Sequence, residues 1–271
     1  MTGTRFIHRS LFTLALILVA GAAFAQATAT QKPFEPQVGQ AGKDVVWVPT
    51  SQTLVDKMLD MAKVTAQDYL MDLGSGDGRT VITAAKRGAR AMGIEYNPDM
   101  VELSRKNAIA AGAGERATFV KADLFETDFS QATVITMFLL PQINMKLRPK
   151  LLDMRPGTRV VSNTFTMEDW EADETQTVGA ECQTWCTALF WIIPAKVGGT
   201  WKLAQGELTL TQKFQMITGS LGATQVTGRL RGAEITFAGG GATYTGRVNG
   251  NTIQGTVAGG SGGSFTATKI R

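Results

Sequence analysis

The chain has 271 residues, 44% of them hydrophobic and 18% charged, with a formal net charge of +4. Its single histidine, His8, lies in the N-terminal segment, and its two cysteines are Cys182 and Cys186. Past that segment there is no serine–histidine triad and no histidine metal site, and two cysteines cannot close a tetrahedral metal site.

The N-terminus reads as an export signal. Arg5 and Arg9 form a short basic region, residues 11–22 are apolar, and Ala23-Phe24-Ala25 has the form of a cleavage site. The apolar core is too short to span a bilayer comfortably. We therefore expect a signal peptide over residues 1–25, a mature protein beginning at Gln26, and a periplasmic or secreted location. An uncleaved signal would be the sole membrane attachment. Residues 26–44 read as a linker.

A first domain is expected over residues 45–196. Ser51 can cap a helix whose Leu54, Val55, Met58, Leu59 and Ala62 share one face. Residues 69–79, YLMDLGSGDGR, follow: an apolar run carrying Asp72, then Gly74, Gly76 and Gly78, then a helical pattern over 80–87 that stops at Gly88. This is a buried parallel strand turning sharply into a helix, with glycine where the backbone needs unusual dihedrals or must approach a ligand. A dinucleotide fingerprint needs its third glycine three residues after Gly76, where Arg79 stands. With Asp72 just upstream, the loop better suits a ligand with cationic groups, and S-adenosylmethionine is such a ligand. Residues 91–95, AMGIE, form a second strand ending in Glu95, placed to accept ribose hydroxyls.

Asn97 then caps a helix with Pro98 at its first position, ending at Gly112. Residues 118–121, 133–138 and 158–162 read as buried strands, and 175–180 with 185–193 as a closing hairpin. Cys182 and Cys186 at the hairpin turn can be bridged or remain two small hydrophobes; spacing alone allows either.

Composition shifts after Pro194. Residues 197–271 hold 17 of the 30 glycines, and short alternating segments recur between glycine turns. About eight short strands are expected, as a small all-antiparallel meander or barrel. Residues 26–196 carry a net charge of −3 and residues 197–271 a net +5. That surplus either docks an anionic surface or guards strand edges.

Taken together, residues 45–64 (VVWVPTSQTLVDKMLDMAKV), the glycine loop, 132–140 (ATVITMFLL) and 147–161 (LRPKLLDMRPGTRVV) resemble a class I, seven-strand S-adenosylmethionine-dependent methyltransferase. Within that class they are similar to archaeal broad-specificity protein-lysine methyltransferases and to mitochondrial relatives that methylate a lysine of the ATP-synthase membrane ring. Asn163 stands where that pattern would have histidine. The resemblance implies an α/β Rossmann-like sheet with its ligand at the carboxyl ends of the strands. It implies S-adenosylmethionine held by Thr50, Asp72, Gly74, Ser75, Gly76, Asp77, Gly78 and Glu95, with Asp123 and Leu124 bordering the adenine. It also implies an acceptor channel from Phe138, Leu140, Pro141 and Trp170, while Leu139 reads as core. No obligatory catalytic base stands out, which suits methyl transfer better than hydrolysis.

The leading expectation is thus an exported protein-lysine methyltransferase. Alternatives are a small-molecule methyltransferase and a non-catalytic binding protein carrying the β-module. A nucleic-acid partner is not expected, because the first domain is acidic and lacks a basic stripe with interleaved aromatics. Oligomeric state is not specified. Mass spectrometry of the natively expressed protein should find Gln26 first; a chain beginning at Met1 would refute export.

Overall fold

The structure is a computed structural model that describes residues 1–2, 34–179, 181–260 and 262–270. The expected signal segment falls outside the described residues. Phe34–Arg271 forms one compact unit, so residues 34–44, expected as linker, fold with the body.

The first layer is a seven-stranded sheet in the order β3-β2-β1-β4-β5-β7-β6. Its strands are β1 (Tyr69–Leu73), β2 (Arg90–Glu95), β3 (Ala117–Lys121), β4 (Val134–Met137), β5 (Arg159–Asn163), β6 (Glu174–Thr177) and β7 (Thr187–Ile192). The first five run parallel, while β7 is antiparallel to β5 and to β6. Because β1 lies between β2 and β4, the strand order reverses there, and such a switch point opens a crevice at the carboxyl ends.

Helices α1 (Gln52–Met61), α2 (Arg79–Lys86), α3 (Pro98–Ala110) and α4 (Pro141–Leu152) complete the domain. Ser51 Oγ accepts from Leu54 N–H, and Leu54, Val55, Met58 and Leu59 are buried beneath α1. Asn97 Oδ1 accepts from Asp99 and Met100 N–H at the start of α3. Helix α4 carries Pro149 in its interior, which masks its pattern in the sequence. Ile143, Leu147 and Leu151, four residues apart, nonetheless make one buried face.

The C-terminal segment closes as a barrel in the order β10-β11-β12-β13-β14-β15-β8-β9. Its strands are β8 (Gly199–Leu203), β9 (Gly206–Lys213), β10 (Met216–Leu221), β11 (Thr224–Arg231), β12 (Glu234–Gly239), β13 (Ala242–Asn249), β14 (Thr252–Ala258) and β15 (Gly263–Lys269). Alternate residues point inward; among them Phe237 stacks on Tyr244 at 4.6 Å, and Phe265 meets both edge-to-face at 6.1 and 5.4 Å. Closure is made where β15 meets β8, pairing Thr268 with Lys202 and Lys269 with Trp201.

The barrel is seated directly on the β7–β6 side of the sheet. Phe214 stacks on Trp170 at 5.7 Å, Gln215 Nε2 donates to Glu171 O at 2.8 Å, and Ala195 N–H donates to Gly232 O at 2.8 Å. The opposite charges of the two segments meet here. Arg229 pairs with Asp173 and Arg231 with Glu174, each at 2.6 Å, and Lys213 with Asp169 at 3.2 Å. The Asp173 side chain is fully buried and also accepts from Ile192 N–H. Lys213, Arg229 and Arg231 of the barrel therefore serve intramolecular docking.

Truncation after Lys196 should expose Trp170 and lower the melting temperature by about 5 °C or more. Cofactor affinity should stay within about threefold, because no barrel residue lines the cleft described below. Asp173→Ala in the full chain should cost about 2 kcal/mol by denaturant titration, mainly through the stranded Ile192 N–H.

Candidate functional site

The loop after β1 is bent by glycine and pinned by β2. Gly74 and Ser75 N–H both donate to Ile94 O, at 2.9 and 3.0 Å. Gly76 has φ +54°, and a Cβ there would stand 2.6 Å from Trp47 Nε1. Gly78 has φ +84° and packs against Phe119 and Ser104, leading into α2. Side chains are thus excluded on both sides of the loop.

Glu95, at the end of β2, is oriented by two amides. Its Oε2 accepts from Gly76 N–H at 3.0 Å and its Oε1 from Asn97 N–H at 2.9 Å. Each carboxylate oxygen keeps acceptor capacity for a ligand hydroxyl. Behind the loop, Ser104 Oγ donates to Gly76 O at 2.7 Å and Asn107 Nδ2 to Asp77 O at 3.0 Å. The Asp77 carboxylate is engaged by Arg79, which also donates to Thr50 O at 2.8 Å. Thr50 Oγ1 in turn accepts from Asn163 Nδ2 at 3.2 Å. Asp77 and Thr50 therefore brace the loop against the segment entering α1.

Asp72 lies under this loop, 6% exposed, and accepts from Thr136 Oγ1 at 2.7 Å. Burial pushes its carboxyl up to about 7, and the charges of Glu95 and Asp77 add to the effect. Among the described residues no lysine or arginine pairs with it. Beside it, Ser75 Oγ is buried without a hydrogen-bond partner. A buried acid lacking a cation and an orphaned hydroxyl fit a ligand that brings a positive, hydrogen-bonding group.

At the far end, Asp123 follows β3, pairs with Lys43, and accepts from Phe125 N–H at 2.9 Å. The hydrogen bond from Lys43 holds its carboxyl below the usual range. Lys43 comes from the segment expected as linker and sits 4.9 Å over the Tyr96 ring.

One cleft connects these groups. Thr50, Asp72, Gly74, Ser75, Gly76, Asp77, Glu95, Asp123, Leu124, Phe138, Leu139 and Leu140 all line it. Three expected residues do not. Gly78 is the N-cap of α2, and Pro141 opens α4. Trp170 is fully buried between Trp191 and Phe214, drawn into the core by the barrel's own aromatic ring. In its place Phe165 and Trp185 reach the cleft, as do Lys43, Trp47 and Tyr96 near the loop. Trp47 stood in the segment already singled out as similar to the family. Trp185 read as strand, but β7 begins at Thr187 because Cys182 and Cys186 are bridged and fold Trp185 into the loop.

The comparisons agree with this geometry. The ANTKMT methyltransferase domain family matches residues 72–174. A protein-lysine N-methyltransferase of Saccharolobus islandicus is 45% identical over 133 residues, covering 48% of this chain and 83% of that protein. A Mus musculus lysine N-methyltransferase named for the ATP synthase c-subunit is 37% identical over 136 residues; the match spans 50% of this chain and 55% of the mouse protein. Among solved structures, an RNA methyltransferase from Salinibacter ruber in complex with S-adenosyl-L-homocysteine is 49% identical, with TM-score 0.51, covering 55% of this chain and 96% of that one.

The cofactor is accordingly S-adenosylmethionine, and the cleft fits it: the buried Asp72 carboxylate would suit its ammonium and Glu95 its ribose hydroxyls. Since Asp72 must be ionised to hold a cation, affinity should fall as pH drops through about 7. Asp72→Asn should bind more weakly and lose that pH dependence in calorimetric titration. An acid whose folded pKa is raised destabilises the free protein increasingly as pH climbs from its unfolded value, about 4, to its folded one. Asp72→Asn should therefore raise the melting temperature of the free protein at pH about 8. Glu95→Ala, which removes two hydroxyl acceptors, should weaken binding by about 100-fold.

Proposed function

The chain belongs to the protein-lysine N-methyltransferase family, and on that premise we propose that this S-adenosylmethionine-dependent methyltransferase acts on lysine side chains of a protein acceptor, outside the cytoplasm. The observation that carries the acceptor reading is the division of the cleft. One half is polar, built on Asp72 and Glu95, and the other is formed by Phe138, Leu139, Leu140, Phe165 and Trp185.

The cofactor supplies a methyl group already activated on a sulfonium, so the chain has to align the acceptor nitrogen, exclude water and favour its neutral form. A free lysine amine has a pKa of about 10.4 and cannot attack while protonated. At the point of attack the aliphatic Leu139 and Leu140 disfavour the ammonium and so lower that barrier. The displaced proton leaves through the cleft mouth to solvent. Glu95 and the glycine loop would hold the ribose side of the cofactor and Asp72 its methionine side, beside the apolar half of the cleft.

An RNA acceptor is a second reading, suggested by the Salinibacter protein's description. The pairing of the cleft's cations favours lysine instead, since Lys43 is paired with Asp123 and Arg79 with Asp77, which leaves no free basic stripe for phosphates among the described residues of the cleft. Export rests on the signal-like N-terminus and is supported by the Cys182–Cys186 bridge, which persists in oxidising compartments.

The test is transfer from labelled S-adenosylmethionine to periplasmic proteins of the source cell and to RNA, followed by mass spectrometry of the acceptor. Label on lysine is expected, with kcat at saturating cofactor rising between about pH 7 and 9 as the acceptor deprotonates. Label confined to RNA or to small molecules would overturn the reading.

A further inference from the structure

The Cys182–Cys186 bridge closes the tip of the hairpin between β6 and β7. Inside this short loop Trp185 adopts φ +53°, a left-handed conformation uncommon for a bulky side chain. Its indole is 42% exposed, although a ring of that size is ordinarily well buried. Both features are costly locally, and such strain collects at ligand sites.

The indole faces two further rings. Trp185 and Phe138 have centroids 5.9 Å apart and inclined at 60°, and Phe138 stacks on Phe165 at 5.8 Å and 20°. Phe138 follows β4 and Phe165 follows β5, just after Thr164, itself at φ +57°. Three separate chain segments thus converge on one aromatic corner of the cleft that also contains Asp72.

Six aromatic rings elsewhere in the molecule are covered by its own cations. Tyr69, Tyr96, Phe125, Phe129, Trp201 and Phe214 each have a lysine or arginine within 6.0 Å of the centroid. Among the described residues no such cation sits over Phe138, Phe165 or Trp185. Ring faces attract cations, most strongly when water is excluded.

We propose that Trp185, held in place by the Cys182–Cys186 bridge, is an acceptor-binding residue that forms with Phe138 and Phe165 a cleft for the ammonium of lysine and its N-methylated forms. This deepens the lysine reading and rests on it. A methylated ammonium is less strongly hydrated and suits an aromatic cleft better than a primary one. A lysine that has received one methyl group is then retained for the next, so transfer to a single nitrogen is successive.

The test uses the full chain saturated with S-adenosylhomocysteine and titrated with free Nε-trimethyllysine, alongside a neutral analogue bearing a tert-butyl group in place of the trimethylammonium. The parent should bind trimethyllysine about tenfold more tightly than the analogue. Trp185→Ala should lose about that factor and Trp185→Phe should keep most of it. Cys182→Ser with Cys186→Ser should behave like Trp185→Ala, and all variants should bind S-adenosylhomocysteine like the parent. No preference for the charged probe, or parent-like binding by Trp185→Ala, would overturn the proposal. Parent-like binding by the double serine variant would remove the bridge's positioning role. If the expected pattern appears while the parent methylates no protein lysine, the lysine reading fails and the ammonium cleft stands.

Discussion

The grip of Glu95 on two backbone amides is the constraint on which the rest of the site depends. By accepting from Gly76 and Asn97 N–H, one carboxylate ties the loop after β1 to the start of α3. The loop can lie that close only because Gly76 and Gly78 bring no side chains. Once it does, Asp72 is sealed beneath it with no counter-charge among the described residues. The loop is thereby organised around an absence of positive charge that the protein does not itself fill. That is a cost to the free chain and a source of selectivity for a cationic ligand.

The C-terminal barrel answers a different electrostatic need. Arg229 and Arg231, part of a surplus that the sequence assigns either to docking an anionic surface or to guarding strand edges, lie against Asp173 and Glu174 at the side of the sheet. Half-exposed pairs of this kind contribute little each. The aromatic contact between Phe214 and Trp170 and the buried Asp173 bonds fix the seat, and the charges select its orientation. With no linker between Ile193 and the buried Val197, the barrel continues the body of the enzyme.

Much of this was legible beforehand, for identifiable reasons. The loop at 74–78 and the placement of Asp72 and Glu95 were readable because strand, acid, glycine turn and helix are local, and each residue's position follows from its neighbours. The barrel was readable as alternating segments, although closure was not, since β8 and β15 meet across the whole domain. The acceptor side was the least accessible. Trp170 looked like a channel residue because an aromatic after β5 can serve core or site equally well, and only the arrival of Phe214 from the barrel decides for the core. Trp185 was hidden inside an apparently regular strand, because the bridge that expels it from β7 could not be deduced from spacing.

The seam between β15 and β8 carries a consequence for how the chain matures. Successive hairpins from β9 to β15 can zip as they are completed, since each pairs with its neighbour in sequence. The seam instead joins the first strand to the last, and its ladder holds two residue pairs. Until β15 is docked, β8 and β14 are open edges able to recruit strands from other molecules. Completion of the barrel is therefore a late, non-local event, and β15, remote from the cleft in sequence, protects the edge of β8 from association.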